Sequence, residues 1–298
     1  LRKTKFPGKP QSRSGHRPRH LQPVRINAAQ MTNPFIDTAK KADQEAVNPQ
    51  ERNQLWWEEK PMTYADWEQA DRLPKSEEDF REIENYVLRT GPWLKVWFEN
   101  IALAGKSCID IGSGSGIFSS MLARRGSTVT ALDLTEAGAN LTSETAKVFG
   151  TELNIVRTDV EHTPFAADNF DFAFSWGVLH HTSNMEKAVS EMSRILRPGG
   201  AGMMMVYHRI SVVYYLHGLY WLIVRGKLFR GYNLRRVQDF YTDGFYHRYL
   251  TRRELGDMLN KCGLTVRRFS VTQYEKKILP GLPKVIDEWM KACFGMCL

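Results

Sequence analysis

"SCIDIGSGSGIF", residues 107–118, joins a short apolar run to three glycines within five positions, Gly112, Gly114 and Gly116. Glycine at this density costs backbone entropy, so a bare backbone is required there. A strand that turns through glycines into a helix N-terminus points free N–H groups at a ligand, and the missing side chains let that ligand approach. The full pattern, Asp110-Ile111-Gly112-Ser113-Gly114-Ser115-Gly116, is D-x-G-x-G-x-G.

The spacing separates two ligand classes. Dinucleotide loops want G-x-G-x-x-G. Here the third glycine arrives one residue early, and an acid precedes the first. A carboxylate beside the loop repels a pyrophosphate. It favours the ammonium and sulfonium of S-adenosylmethionine (SAM). A nicotinamide-dependent oxidoreductase is disfavoured on both counts.

Outward from the loop, strands alternate with helices of ordinary length, which predicts βαβ units and a parallel sheet covered on both faces. "STVTALDLT" reads as a second strand ending at Asp133, followed by a helix over about 136–149. "LNIVRTDV" is a third strand ending near Asp159, and "FDFAFSWGVLHHT" a fourth. "NMEKAVSEMSRILRPGG" is a helix stopped by Pro198-Gly199-Gly200, and "AGMMMVYH" a fifth strand. "LTVRRFSVTQ" is expected to be a sixth strand, with "FGMCL" starting a seventh. "TRRELGDMLNKCG" reads as a helix with Thr251 as N-cap, Glu254 in the capping box and Gly263 at its end. Asp110, Asp133 and Asp159 then reach one carboxyl edge, where open α/β sheets bind ligands. Asp133 can accept hydrogen bonds from ribose hydroxyls, and Asp159 from an adenine amine.

The residues before and after this core differ in kind. Residues 1–36 hold eight Lys/Arg and no acid, with Pro, Gly and Ser but little apolar periodicity. They are expected to form a flexible basic arm, with RNA, an anionic membrane or a larger complex as its partner. The same Arg/Ser-rich, acid-poor composition suits a transit peptide. Residues 37–106 read as a helical extension, with Trp93, Val96, Trp97 and Ile101 on one helix face. Residues 209–250 form a cap insert, its run "ISVVYYLHGLYWLIV" serving as core, lid or membrane-surface helix. Residues 197–280 carry 15 basic side chains against 5 acidic, which suits an acidic acceptor or a polyanionic partner. No 18-residue apolar run predicts a spanning helix. The four scattered cysteines, without a CxxC pair, suit a reduced compartment, so an intracellular site is expected, in cytoplasm or an organelle matrix such as the mitochondrion's.

The segments "CIDIGSGSG", "VTALDLT", "RTDVEHTPFAADNFDFAFSWGVLHHT" and "ILRPGGAGMMMV" resemble class I SAM-dependent methyltransferases, in particular the ubiquinone/menaquinone-methyltransferase-like (type 11) group. The resemblance implies a doubly wound, mostly parallel seven-stranded Rossmann-like sheet and SAM as cofactor. It implies that Gly112, Gly114 and Gly116, with Ser113 among them, line the methionine part. It places Asp133 and Leu134 at ribose and adenine, Asp159 and Val160 beside adenine, and Trp176-Gly177 as the pocket's closure. Methyl transfer requires no metal. The fourth strand ends "SWGVLHHT", without the Asn/Asp-Pro-Pro-aromatic signature of amino methyltransferases, so an O or C acceptor on a small, apolar molecule is expected. His180 or His181 is the candidate base. Tyr64, Tyr207, His208, Tyr241, Tyr246 and His247 are candidate pocket neighbours. The rival expectations are a methyltransferase fold serving as a structural or assembly subunit anchored by the arm, and an RNA methyltransferase.

Overall fold

A computed structural model describes residues 49–62, 73–210, 212–241 and 247–271. The basic arm, Tyr64, Tyr246, "FGMCL" and the end of "LTVRRFSVTQ" lie outside these. The described residues all belong to one compact unit.

Three helices precede the sheet: α1 (Pro49–Glu59), α2 (Glu77–Thr90) and α3 (Pro92–Asn100). Helix α2 starts on a capping box, with Ser76 accepting from the Asp79 N–H and the Asp79 carboxylate accepting from the Ser76 N–H. The buried face of α3 is Leu94 and Phe98, flanked by Trp93, Trp97 and Ile101, while Val96 is exposed. The stripe read through Val96 is therefore displaced by one position, because Leu94 and Phe98, four apart, already fill the groove against the sheet.

The core is a five-stranded parallel sheet in the order β3-β2-β1-β4-β5. Its strands are β1 (Ser107–Ile111), β2 (Thr128–Asp133), β3 (Leu153–Arg157), β4 (Phe170–Trp176) and β5 (Leu196–Met205). Helices α4 (Ile117–Ala123), α5 (Glu136–Phe149) and α6 (Met185–Ile195) make the crossovers. The period of two sorts each strand. Ile109 and Ile111 enter one apolar cluster with Leu132 and α6, while Cys108 enters the opposite one with Val129, Phe172, Phe174 and α4. Helices on both faces confirm the doubly wound class.

The sheet departs from expectation in two places. Five strands are present among the described residues, not seven. Residues 264–271 form no ladder, although Leu264, Val266 and Phe269 pack on the core through their side chains. Alternating apolar residues satisfy burial on one face; a strand also needs a partner for its N–H and C=O groups. Pro198-Gly199-Gly200 does not end the helix from a loop but lies inside β5, at a bulge where the register shifts between Phe170 and Phe172. Gly199, at φ +80°, supplies the left-handed residue there.

After the sheet come α7 (Val212–Leu219), a π-helical turn (Tyr220–Val224), a 3-10 turn (Leu228–Arg230), α8 (Leu234–Tyr241) and α9 (Arg252–Lys261). Helix α9 has the expected capping box, Thr251 with Glu254.

Candidate active site at the carboxyl edge of the sheet

The glycine loop has a different task at each glycine. All three adopt positive φ: +76° at Gly112, +51° at Gly114 and +74° at Gly116. A Cβ on Gly112 would sit 2.2 Å from a Val178 methyl, and one on Gly116 would sit 2.6 Å from Thr142 Cα. These two allow the β4 loop and α5 to close on the loop. A Cβ on Gly114 would meet nothing nearer than Met62, at 4.0 Å. Gly114 is therefore the one of the three whose backbone is uncrowded, with Met62 only at contact distance, and the one whose bare backbone fits the approach of a nucleoside. Ser113 does not face out; its hydroxyl is buried and pairs with Thr142 at 2.9 Å.

Asp133 ends β2 and gathers the loop around it. Its Oδ2 accepts from Gly114 N–H at 2.8 Å, and its Oδ1 accepts from Thr135 N–H and Oγ1–H at 2.9 and 2.7 Å. Thr135 in turn caps α5 by accepting from Gly138 N–H. A Cβ on Gly138 would lie 2.6 Å from the Asp133 carboxylate, so this fourth glycine, missed from sequence, leaves room for it. Oδ2, with one of its two lone-pair sites filled, retains acceptor capacity for a ribose hydroxyl. Leu134 follows, half-buried.

Asp110 is set deeper than the sequence suggests. It is 1% exposed and accepts from Ser119 Oγ at 2.6 Å on the α4 side of the sheet. Burial pushes its carboxyl up to about 7, with Asp133 adding to the rise and the Ser119 hydrogen bond opposing it. Its negative charge is thus partly suppressed at neutral pH, and it braces β1 on α4 rather than lying open at the edge.

Asp159 caps the 3-10 turn Val160–His162, accepting from Glu161 N–H at 2.8 Å. Burial raises its pKa, against that hydrogen bond and another from Gln50. Val160 is buried in the core. Trp176 packs among Trp93, Phe118 and Phe174, with ring centroids 5.2, 5.8 and 6.1 Å away, so its side chain belongs to the aromatic core. Gly177 follows at φ +75°.

The histidines lie in an aromatic cluster at the ends of β4 and β5. His180 is fully buried, 4.2 Å from His181 and 4.0 Å from Tyr207 between ring centroids. Neither ring nitrogen of His180 has a hydrogen-bond partner. Burial, with His181 and His247 nearby, holds its pKa well below the ordinary value, so the ring is neutral. His181 touches Trp57 edge-on at 5.2 Å, and His247 stands 5.9 Å from both His181 and Tyr207. His208 turns aside, its Nδ1 3.1 Å from the Leu250 carbonyl. Among the described residues no cluster has the makings of a metal site.

Sequence reasoning also missed the part played by α1. This helix lies over the same edge and reaches the segments after two strands, β4 and β2. Gln50 Oε1 accepts from Ser183 N–H at 3.1 Å, Asn53 Nδ2 donates to the His181 carbonyl, and Glu58 accepts from Glu136 and Ala137 N–H, both at 2.9 Å. Glu58 thereby supplies an anion at the α5 N-terminus, where the helix dipole favours one.

Residues 109–204 match the family described as a methyltransferase domain. A chloroplastic methyltransferase of Arabidopsis thaliana, itself uncharacterized, is 29% identical over 67% of this chain and 51% of its own length. A ubiquinone biosynthesis O-methyltransferase of Rhizobium leguminosarum is 32% identical over 33% of this chain and 39% of its own. The matches thus span about half or less of these relatives. Among solved structures, a chain from the complex of the Haloferax volcanii Trm112 methyltransferase activator with a methyltransferase superposes at TM-score 0.51. It is 16% identical, covering 73% of this chain and 88% of that one, a likeness of fold.

Proposed function

Residues 109–204 match a methyltransferase domain, and we propose that the chain is a class I SAM-dependent methyltransferase that transfers a methyl group to an O or C atom of a small, apolar molecule. The observation that carries this reading is the pairing of the uncrowded Gly114 backbone with the Asp133 carboxylate 2.8 Å from its N–H. Asp133 would hold the ribose and Gly114 the methionine part, with Asp159 and Leu134 beside the adenine. When bound, SAM supplies an electrophilic methyl on a sulfonium. The protein's part is placement and exclusion of water.

The acceptor side is read from the cluster of His181, Tyr207, His247 and Tyr249. Its rings offer an apolar wall with imidazole nitrogens and phenol groups set into it. An acceptor hydroxyl or acidic carbon placed there would give its proton to His181, with His180, neutral behind it, fixing the ring position. The Rhizobium relative is named as an O-methyltransferase of ubiquinone biosynthesis, which supports an O acceptor. The acid-free residues 1–36 and the chloroplastic relative support an organelle matrix as the site, and the same eight cations support a polyanionic partner for the arm.

Isothermal titration with SAM and S-adenosylhomocysteine tests the reading. Saturable binding of both is expected. No binding at millimolar ligand would leave the structural-subunit reading in its place.

A further inference from the structure

We propose that the outer face of α7, its π-helical turn and the following 3-10 turn dock on an anionic phospholipid bilayer. The segment is apolar on two adjacent stripes, and the fold buries only one. Tyr214, Gly218 and Leu222, four residues apart, face inward. A Cβ on Gly218 would collide with Leu234 Cδ1 at 2.0 Å, so α8 sits directly on this stripe, and Gln238 Nε2 donates to the Tyr214 carbonyl.

The next stripe, Tyr215, Leu219 and Ile223, lies one residue on and is exposed. The wider π turn brings Val224 beside it. Gly226 then reverses the chain at φ +64°, and the Phe229 ring returns to within 3.9 Å of where a Gly226 Cβ would stand. Leu228 is exposed as well. Ile223, Val224 and Phe229 show 61%, 70% and 89% of their surface to solvent. Scattered exposed apolar residues need no explanation; six within fifteen residues at the end of one helix do.

The charges around them say what covers the face. No Asp or Glu occurs between residues 210 and 238, while Arg225, Lys227, Arg230 and Arg235 follow or interleave the apolar side chains. Arg225 lies over the Trp221 ring at 5.3 Å and Lys227 over Tyr232 at 5.4 Å. Such cation–aromatic pairs have an apolar body and a charged end, as the boundary between acyl chains and headgroups demands. A protein partner's apolar patch would not require an all-cationic surround; a bilayer bearing negative headgroups does. No described helix is long and apolar enough to cross a membrane, so the contact is interfacial. The inference does not depend on methyl transfer, since a chain that bound no SAM would dock equally.

The test is sedimentation of the full chain with vesicles of phosphatidylcholine, with and without phosphatidylglycerol. Wild type is expected to pellet with the anionic vesicles and far less with the neutral ones. The triple variant Ile223→Ser, Val224→Ser, Phe229→Ser keeps every charge and is expected to bind at least about tenfold more weakly. Phe229→Ser alone, at a site too exposed to disturb folding, is expected to weaken binding severalfold. Unchanged binding by these variants would overturn the proposal and assign the contact to cations elsewhere, residues 1–36 included. So would a wild type that ignores anionic vesicles, or one that forms a dimer which the triple variant separates.

Discussion

The N–H of Gly114 donates to Oδ2 of Asp133 at 2.8 Å, so one hydrogen bond ties the loop after β1 to the end of β2. The same carboxylate holds Thr135 through two further bonds. Asp133→Ala is expected to weaken SAM by about 1–3 kcal/mol through lost hydrogen bonds to the ligand and a slackened loop. Calorimetric titration checks this. A loss confined to turnover, with SAM affinity intact, would remove Asp133 from the ribose.

Gly138→Ala separates helix propensity from site geometry. Alanine in an exposed helix gains about 1 kcal/mol over glycine. Here its Cβ would stand 2.6 Å from the Asp133 carboxylate. The expected result is a lower SAM affinity with no gain in melting temperature.

The loop glycines should fail in different ways. Gly114→Val sets a branched side chain beside the loop against Met62, so SAM binding should be lost while the fold survives with a modest penalty from φ +51°. Gly116→Ala drives a Cβ to 2.6 Å from the Thr142 backbone, and should cost about 2–4 kcal/mol of stability. Circular dichroism melts and SAM titration on both proteins distinguish the two.

Asp110 and His180 give stability opposite pH slopes. The Asp110 carboxyl, pushed up to about 7, binds its proton more tightly in the fold than in the unfolded chain. Stability from this group is therefore full below about pH 4 and falls as pH rises towards 7. His180, lowered below its ordinary value, binds its proton less tightly in the fold, so its contribution is full above about pH 6.5 and falls as pH drops. Asp110→Asn keeps an acceptor for Ser119 and removes the first slope. Melts should show the variant gaining on wild type between pH 5 and pH 8, by on the order of 2–4 kcal/mol. An equal difference at both values would mean that Asp110 is not raised.

Glu58→Ala removes the anion from the α5 N-terminus. A loss of about 0.5–2 kcal/mol in stability is expected, in the range for helix caps. SAM affinity should fall with it, because α1 and the Asp133 region loosen together. A variant with unchanged SAM binding would make α1 a structural brace only.

What the sequence discloses follows the range of the interaction. Thr251 with Glu254 starts α9 as its sequence predicts, because caps act within four residues. The strand ends at Asp110 and Asp133 are legible for the same reason: apolar runs stop at turn signals. The roles of Asn53 and Glu58 are hidden, since their partners lie 128 and 78 residues away. The strand holding Asp110 is legible, but period two decides its face, and the Ser119 hydroxyl that donates to it belongs to the next helix. Leu264 and Val266 show the reverse failure, with an alternation suited to a strand and no ladder to join.

Gln50, Asn53 and Glu58 span only nine positions of one helix, yet they fasten two separate strand–helix junctions, those after β4 and after β2. A protein pared down to its sheet would lose those fastenings, and is expected to release a bound nucleoside faster than the full chain.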